Sequence, residues 1–166
     1  MITPEYCQVM ARYNAWQNKG YRAVIEAMPQ VELERDRGAF FGSVLATLNH
    51  LLWGDLLWLQ RFGRDVNIPV TRDRGVDITA TGPDWGALRF RTDGQIVEWA
   101  RSLRALDLAG DLTWTSSTGA VNTEKRWVLA THLFNHQTHH RGQVHAMLTA
   151  AGYRLPDTDL AYLPEE

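Results

Sequence analysis

The sequence predicts an all-α protein, a four-helix bundle with a small β-hairpin before its last helix. Three observations carry this expectation. Four long stretches repeat apolar residues at steps of three and four, the period of one helical face. Helix-entry residues precede the first two, and glycine follows two of the four. One Thr- and Ser-rich stretch, "GDLTWTSSTGAVNTEKRW", interrupts the helical pattern just before the last of them.

The first helix opens at "TPEYCQVMARYNAWQNKGYRAVIEAM", with Thr3 as N-cap, Pro4 at the first helical position and Glu5 after it. Tyr6, Val9, Met10, Tyr13, Trp16, Gly20, Ala23, Val24 and Ala27 form its stripe, and Pro29 follows its end. The second, "GSVLATLNHLLWGDLLWLQRFG", is capped by Ser43 and stopped by Gly63. Its apolar stripe is broad, which predicts a central position. Arg64 to Pro83 lacks a clear period and is punctuated by Pro69, Gly75, Gly82 and Pro83. It reads as a surface loop or as a flap over a site. A third helix is expected from Asp84 to about Leu106, with Trp85, Leu88, Ile96, Trp99 and Leu103 near one face. The hairpin follows, with Gly119 at its turn. The fourth helix is expected from near Glu124 to Gly152, and the tail "YRLPDTDLAYLPEE" is irregular.

Composition bounds the function. The 166 residues suffice for one domain, 1–166, around one core. A net charge of −2 gives no electropositive field for nucleic acid or anionic membrane. The single cysteine, Cys7, cannot form an internal disulfide, which suits a reducing compartment. With no signal peptide and no long apolar run, a cytoplasmic protein off the membrane is expected. Seven tryptophans fit either a well-filled interior or a large aromatic surface.

Five of the six histidines fall between residues 132 and 145. At about 100° per residue from His136, His140 lies near +40°, His132 near −40°, His139 near −60° and His145 near 180°. Leu129, Leu133, Val144 and Met147 fall between about +20° and +80°. His132, His136 and His140 therefore share the core-facing stripe, and His145 is assigned to solvent or a partner. Buried imidazoles need partners for both ring nitrogens, and a divalent metal organises an i, i+4 pair of them. Gln137 stands where the zinc-protease helix has glutamate, so that chemistry is unsupported. His132 and His140 are about 12 Å apart along the axis, so one pair must be chosen. His50, on a face with Ala46, Thr47, Trp53, Gly54 and Leu57, is the natural third donor. Spacing alone leaves His132–His136 and His136–His140 open.

These residues also carry a resemblance. "NHQTHHRGQ" resembles the signature helix of the DinB-like (DinB/YfiT) family of metal-binding four-helix bundles. "YNAWQN", "GSVLATLNHLLWGDLLWL" and "AGYRLPDTDL" are similar to that family's first helix, second helix and ending. The resemblance implies three ligands, His50, His136 and His140, for a divalent ion such as zinc or nickel, with an open metal position. His132 then becomes a neighbour. Gln143, near −20° on the wheel, either bonds a ligand or the bound water or is a core-edge glutamine. Arg141 is read as holding the bundle together, and Asp55, about 140° from His50, is left out of the ligand set. By resemblance, the expected function is a thiol S-transferase acting on a small molecule, possible partners including a low-molecular-weight thiol. A metal-dependent hydrolase and a stress-related protein with a structural metal are the alternatives. Family habit and the tryptophan content together predict a homodimer.

Overall fold

A computed structural model describes residues 1–116 and 118–165. Its long helices are α1 (Pro4–Ala27), α3 (Val44–Arg61), α4 (Gly82–Ser102) and α5 (Arg126–Ala150), and a short α2 (Gln30–Glu34) lies between the first two. The architecture is the expected helical bundle with a hairpin before the last helix.

The entry signals act as side-chain chemistry predicts. Thr3 accepts a hydrogen bond from the Tyr6 amide at 3.3 Å, and Ser43 accepts one from the Ala46 amide at 3.2 Å. For α4 the cap is Thr81, which accepts from the Asp84 amide at 3.2 Å. That helix stops at Ser102, short of the expected Leu106, because Leu103 turns extended at φ −68° and ψ 136°.

Strands β1 (Asp111–Thr115) and β2 (Val121–Lys125) pair antiparallel, from Asp111 opposite Lys125 to Thr115 opposite Val121. Gly119, at φ +82°, supplies the left-handed turn. The pairing holds residues through Lys125 in the ladder, so α5 starts at Arg126 rather than near Glu124.

Helix α1 packs mainly on α4, and α3 packs on α5. Gly82 lets the first contact close: a Cβ there would stand 2.5 Å from the Ile25 carbonyl oxygen. Tyr21, Ile25, Leu52, Leu59, Trp85, Ile96, Leu133, Phe134 and Leu148 are fully buried between the helices. Each such large side chain contributes roughly 1.5–3 kcal/mol by leaving water. Trp58, Trp85 and Trp99 are buried, and Trp16, Trp53, Trp114 and Trp127 are partly covered. The tryptophans thus contribute to the interior of one chain, while Phe40 and Phe90 stay exposed. The tail returns to α1, where Tyr13 Oη donates to the Thr158 carbonyl at 2.6 Å and Arg12 donates to the Pro164 carbonyl at 2.7 Å.

Candidate metal centre

Helix α3 presents His50, and α5 presents His136 and His140. The helices run antiparallel here: His50 meets His136 and His140, while Trp58, two turns on, meets His132 at 5.2 Å between ring centroids. One potential ligand nitrogen from each of His50, His136 and His140 lies within 4.8 Å of the other two. His50 Nε2 and His136 Nε2 are 3.1 Å apart. A tetrahedral ion with bonds of about 2.0–2.1 Å sets its ligand nitrogens about 3.3 Å apart. The three rings are therefore spaced to hold one.

The surroundings of His136 and His140 favour their neutral form. Burial, followed by the neighbouring imidazoles, pushes His136 down to about 3. Burial also lowers His140. Neutral imidazole is the form that ligates a metal. His140 Nδ1 lies 2.8 Å from Gln143 Oε1, and a carbonyl oxygen only accepts. The proton is then on Nδ1, and the Nε2 lone pair is left for the cluster. His136 Nδ1 is buried without a hydrogen-bond partner, and its Nε2 faces His50. Gly54, one turn after His50, makes room for it: a Cβ there would meet His136 Cε1 at 3.0 Å. Phe41, in the loop before α3, stacks on His50 at 4.1 Å and shields that side.

Among the described residues, no carboxylate or thiolate joins this group. Burial pushes the Cys7 thiol up to about 12, which keeps it protonated. On its other side the cluster opens into a cleft of about 700 Å³. Trp53, Trp58 and His132 line it together with Val66, Ile68 and Val70. The segment from Arg64 to Pro83 thus lies beside the histidines, as the flap reading expects. Asn49 ties it to α3, donating to the Val76 and Thr79 carbonyls at 2.9 and 2.8 Å.

Other expectations sort differently. His132 is exposed rather than core-facing; its ring lies on Trp58 and 5.6 Å from His136. His145 is half-buried rather than free in solvent, with Nδ1 3.1 Å from Tyr21 Oη on α1. Gln143 contacts a candidate ligand. Arg141 is buried and joins α5 to α1 by donating to Asn14 Oδ1 at 2.8 Å. It also donates to Gln137 Oε1 at 3.0 Å.

Sequence reasoning missed Gln137 and Phe41. Gln137 is fully buried and donates to Asp55 Oδ2, which also takes Arg89 at 2.6 Å. The available signal was the pairing of acidic and basic residues on otherwise apolar helix faces.

Fold and site together define a helical bundle whose antiparallel α3 and α5 bring three imidazoles to one point. The DinB family model matches residues 1–166, and the chain belongs to that family. It is 24% identical over 151 residues to Protein DinB of Bacillus subtilis (strain 168), covering 89% of this chain and 87% of that protein. Its fold resembles a DinB-like protein from Bacillus cereus ATCC 10987 with a TM-score of 0.65 at 15% identity, over 86% of this chain and 90% of that one. No described helix is long and apolar enough to cross a membrane.

Proposed function

We propose that this chain binds one divalent ion, zinc or nickel, through His50, His136 and His140, and acts as a metal-dependent enzyme of the thiol S-transferase type on a small molecule. The observation that carries the reading is the convergence of three imidazoles at the end of an open cleft, with no carboxylate or thiolate beside them among the described residues. That donor set suits a divalent ion and leaves its charge uncompensated. When bound, such an ion supplies charge that keeps a thiol ionised near neutrality, where a free thiol of pKa about 8.5 is mostly protonated. The protein's own groups supply the rest. Gln143 orients His140, Phe41 excludes water behind His50, and Trp53 and Trp58 form an apolar bed beside the site. The open cleft favours an enzyme over a purely structural metal, which would be sealed.

Metal analysis of protein purified without added metal or affinity tag tests the ligand set. About one equivalent of ion is expected, lost on His136→Ala. Small thiols should then perturb the visible spectrum of the cobalt-substituted protein. A spectrum indifferent to thiols and carboxylates, with the ion still bound, would leave a structural metal instead. A homodimer in the cytoplasm completes the reading. The exposed Phe90 on α4 and Val9 on α1 offer apolar surface for pairing. Sedimentation at 18.9 kDa across micromolar concentrations would exclude it.

A further inference from the structure

The far end of α3 borders a second cavity, of about 360 Å³. Phe62, just past the last turn of α3, lines it and follows His50 by twelve residues, about 18 Å along the axis. The cavity shares no described lining residue with the histidine cleft. Three arginines line it from three parts of the chain: Arg64 beyond the end of α3, Arg104 beyond the end of α4, and Arg126, the first residue of α5. Two of them are held by carboxylates. Arg104 Nε lies 3.1 Å from Asp107 Oδ2, and Arg64 lies 3.2 Å from Glu98. Exposed pairs of this kind are weak and rearrange easily. Arg126 is different. It forms no ion pair or side-chain hydrogen bond among the described residues and reaches Asp107 only through its field. Asp107 is the one acidic residue in the described lining, so the three arginines leave a surplus of two positive charges there. The first turn of α5 has no acidic residue, and Lys125 gives it no side-chain cap, so the positive end of that helix adds to the field. Phe62 and Trp99, stacked at 4.9 Å between ring centroids, add apolar surface together with Leu103 and Leu108.

We propose that this cavity binds a phosphate group, free or carried by a small molecule, with Arg126 as its first contact. Arg64 and Arg104 turn to the same group from their surface carboxylates, and the organic part of a monoester lies against Phe62 and Leu103. A phosphate dianion matches the surplus of two positive charges, and planar guanidinium forks pair with phosphate oxygens two at a time. The site is independent of the metal reading, since none of its residues belongs to the histidine cleft. Arginines at the ends of α3 and α4 would also offset the negative ends of those helices, a purely structural role that binding measurements separate from this one.

The test is calorimetric titration of the whole chain with inorganic phosphate and with phenyl phosphate, at constant ionic strength and about pH 7.5. There a monoester, with a second pKa of about 6, is dianionic. Saturable binding is expected from at least one of the two. Tighter binding of phenyl phosphate assigns the group to a monoester, and equal binding assigns it to free phosphate. Arg126→Gln should weaken binding about tenfold or more, the size expected of a hydrogen bond to a charged group, and Arg126→Lys should keep part of it. Arg64→Gln should weaken it less. Arg91→Gln, which removes an exposed arginine of α4 outside the cavity, should leave binding unchanged. His136→Ala should leave it unchanged as well, so the phosphate site and the metal reading stand or fall separately. Loss of binding in His136→Ala would place the phosphate at the histidines and overturn the proposal. Equal weakening by Arg91→Gln and Arg126→Gln would reduce it to general charge attraction and also overturn it. So would the absence of saturable binding by either phosphate. A lower urea midpoint for Arg126→Gln with phosphate affinity intact would leave the arginine a structural role only.

Discussion

The imidazoles of His50, His136 and His140 and the charged groups of Asp55, Arg89 and Arg141 come from neighbouring turns of the same bundle, yet they are satisfied in opposite ways. Behind the histidines, Asn18 donates to Asp93 at 2.9 Å, and Arg89 lies 2.8 Å from Asp93 and 2.6 Å from Asp55. Gln137 donates to Asp55, and Arg141 bonds Gln137 and Asn14. Donors face acceptors along a chain that visits α1, α4, α3 and α5, and every member is buried. Among the described residues, no carboxylate joins the histidine cluster. Gln143 serves His140, His50 Nε2 and His136 Nε2 lie 3.1 Å apart, and His136 Nδ1 is buried without a hydrogen-bond partner, so the rings converge on one another rather than on an opposite charge. Burial of polar groups alone therefore does not mark a site. Imidazoles converging at the mouth of a cleft do.

The comparison can be broken at its structural half with the largest effect. Asp55→Ala leaves Arg89 short of a counter-charge in the core and should cost about 3–5 kcal/mol. Urea unfolding measures it, and a loss below about 1 kcal/mol would mean that the network does not hold the helices together. At the other half, His136→Ala should lower metal affinity well beyond the roughly 10–100-fold typical of removing an outer partner. The metal-free variant should unfold at nearly the wild-type urea concentration. His132→Ala should retain the metal, and calorimetry with zinc distinguishes the two.

Asp93 sharpens the contrast through pH. Burial, only partly offset by Arg89, raises its carboxyl from 3.8 to about 6. Between these values the folded state holds a proton that the unfolded state has lost. Stability from this group is therefore greatest below about pH 4 and falls as pH rises through about 6, by at most about 3 kcal/mol. Asp93→Asn should remove that fall from a series of urea titrations at different pH, and a fall of unchanged size would place its origin elsewhere. The smallest effect is expected where the two halves touch least. Gln143→Ala should weaken metal binding about 10–100-fold without measurable loss of stability. If stability falls and affinity does not, Gln143 is a packing residue.

Much of this was legible in the sequence because it depends on one helix at a time. Thr3 and Ser43 cap as their chemistry requires, and the i, i+4 spacing places His136 and His140 on one face whatever the helix packs against. The failures occur where a second element intervenes. The wheel put His145 opposite His136, which was read as facing solvent or a partner, but the far side of α5 faces α1 of the same chain and Tyr21 reaches it. Lys125 belongs to the hairpin ladder because Asp111 pairs with it, a partner fourteen residues away.

The sequence by itself determined the four long helices, the histidine-bearing stripe on the last of them and the absence of a strong net charge. The tertiary structure decided that His50 meets the i, i+4 pair, that Gln137 and Asp55 join beneath it, and that Arg61 shares a cleft with the histidines. Hydrophobic periodicity sets which residues share a face of one helix, since that follows from its own 3.6-residue turn. The rotation and sliding of α3 against α5 come from packing of the whole core, so ligands contributed by both helices are located only once that core is assembled.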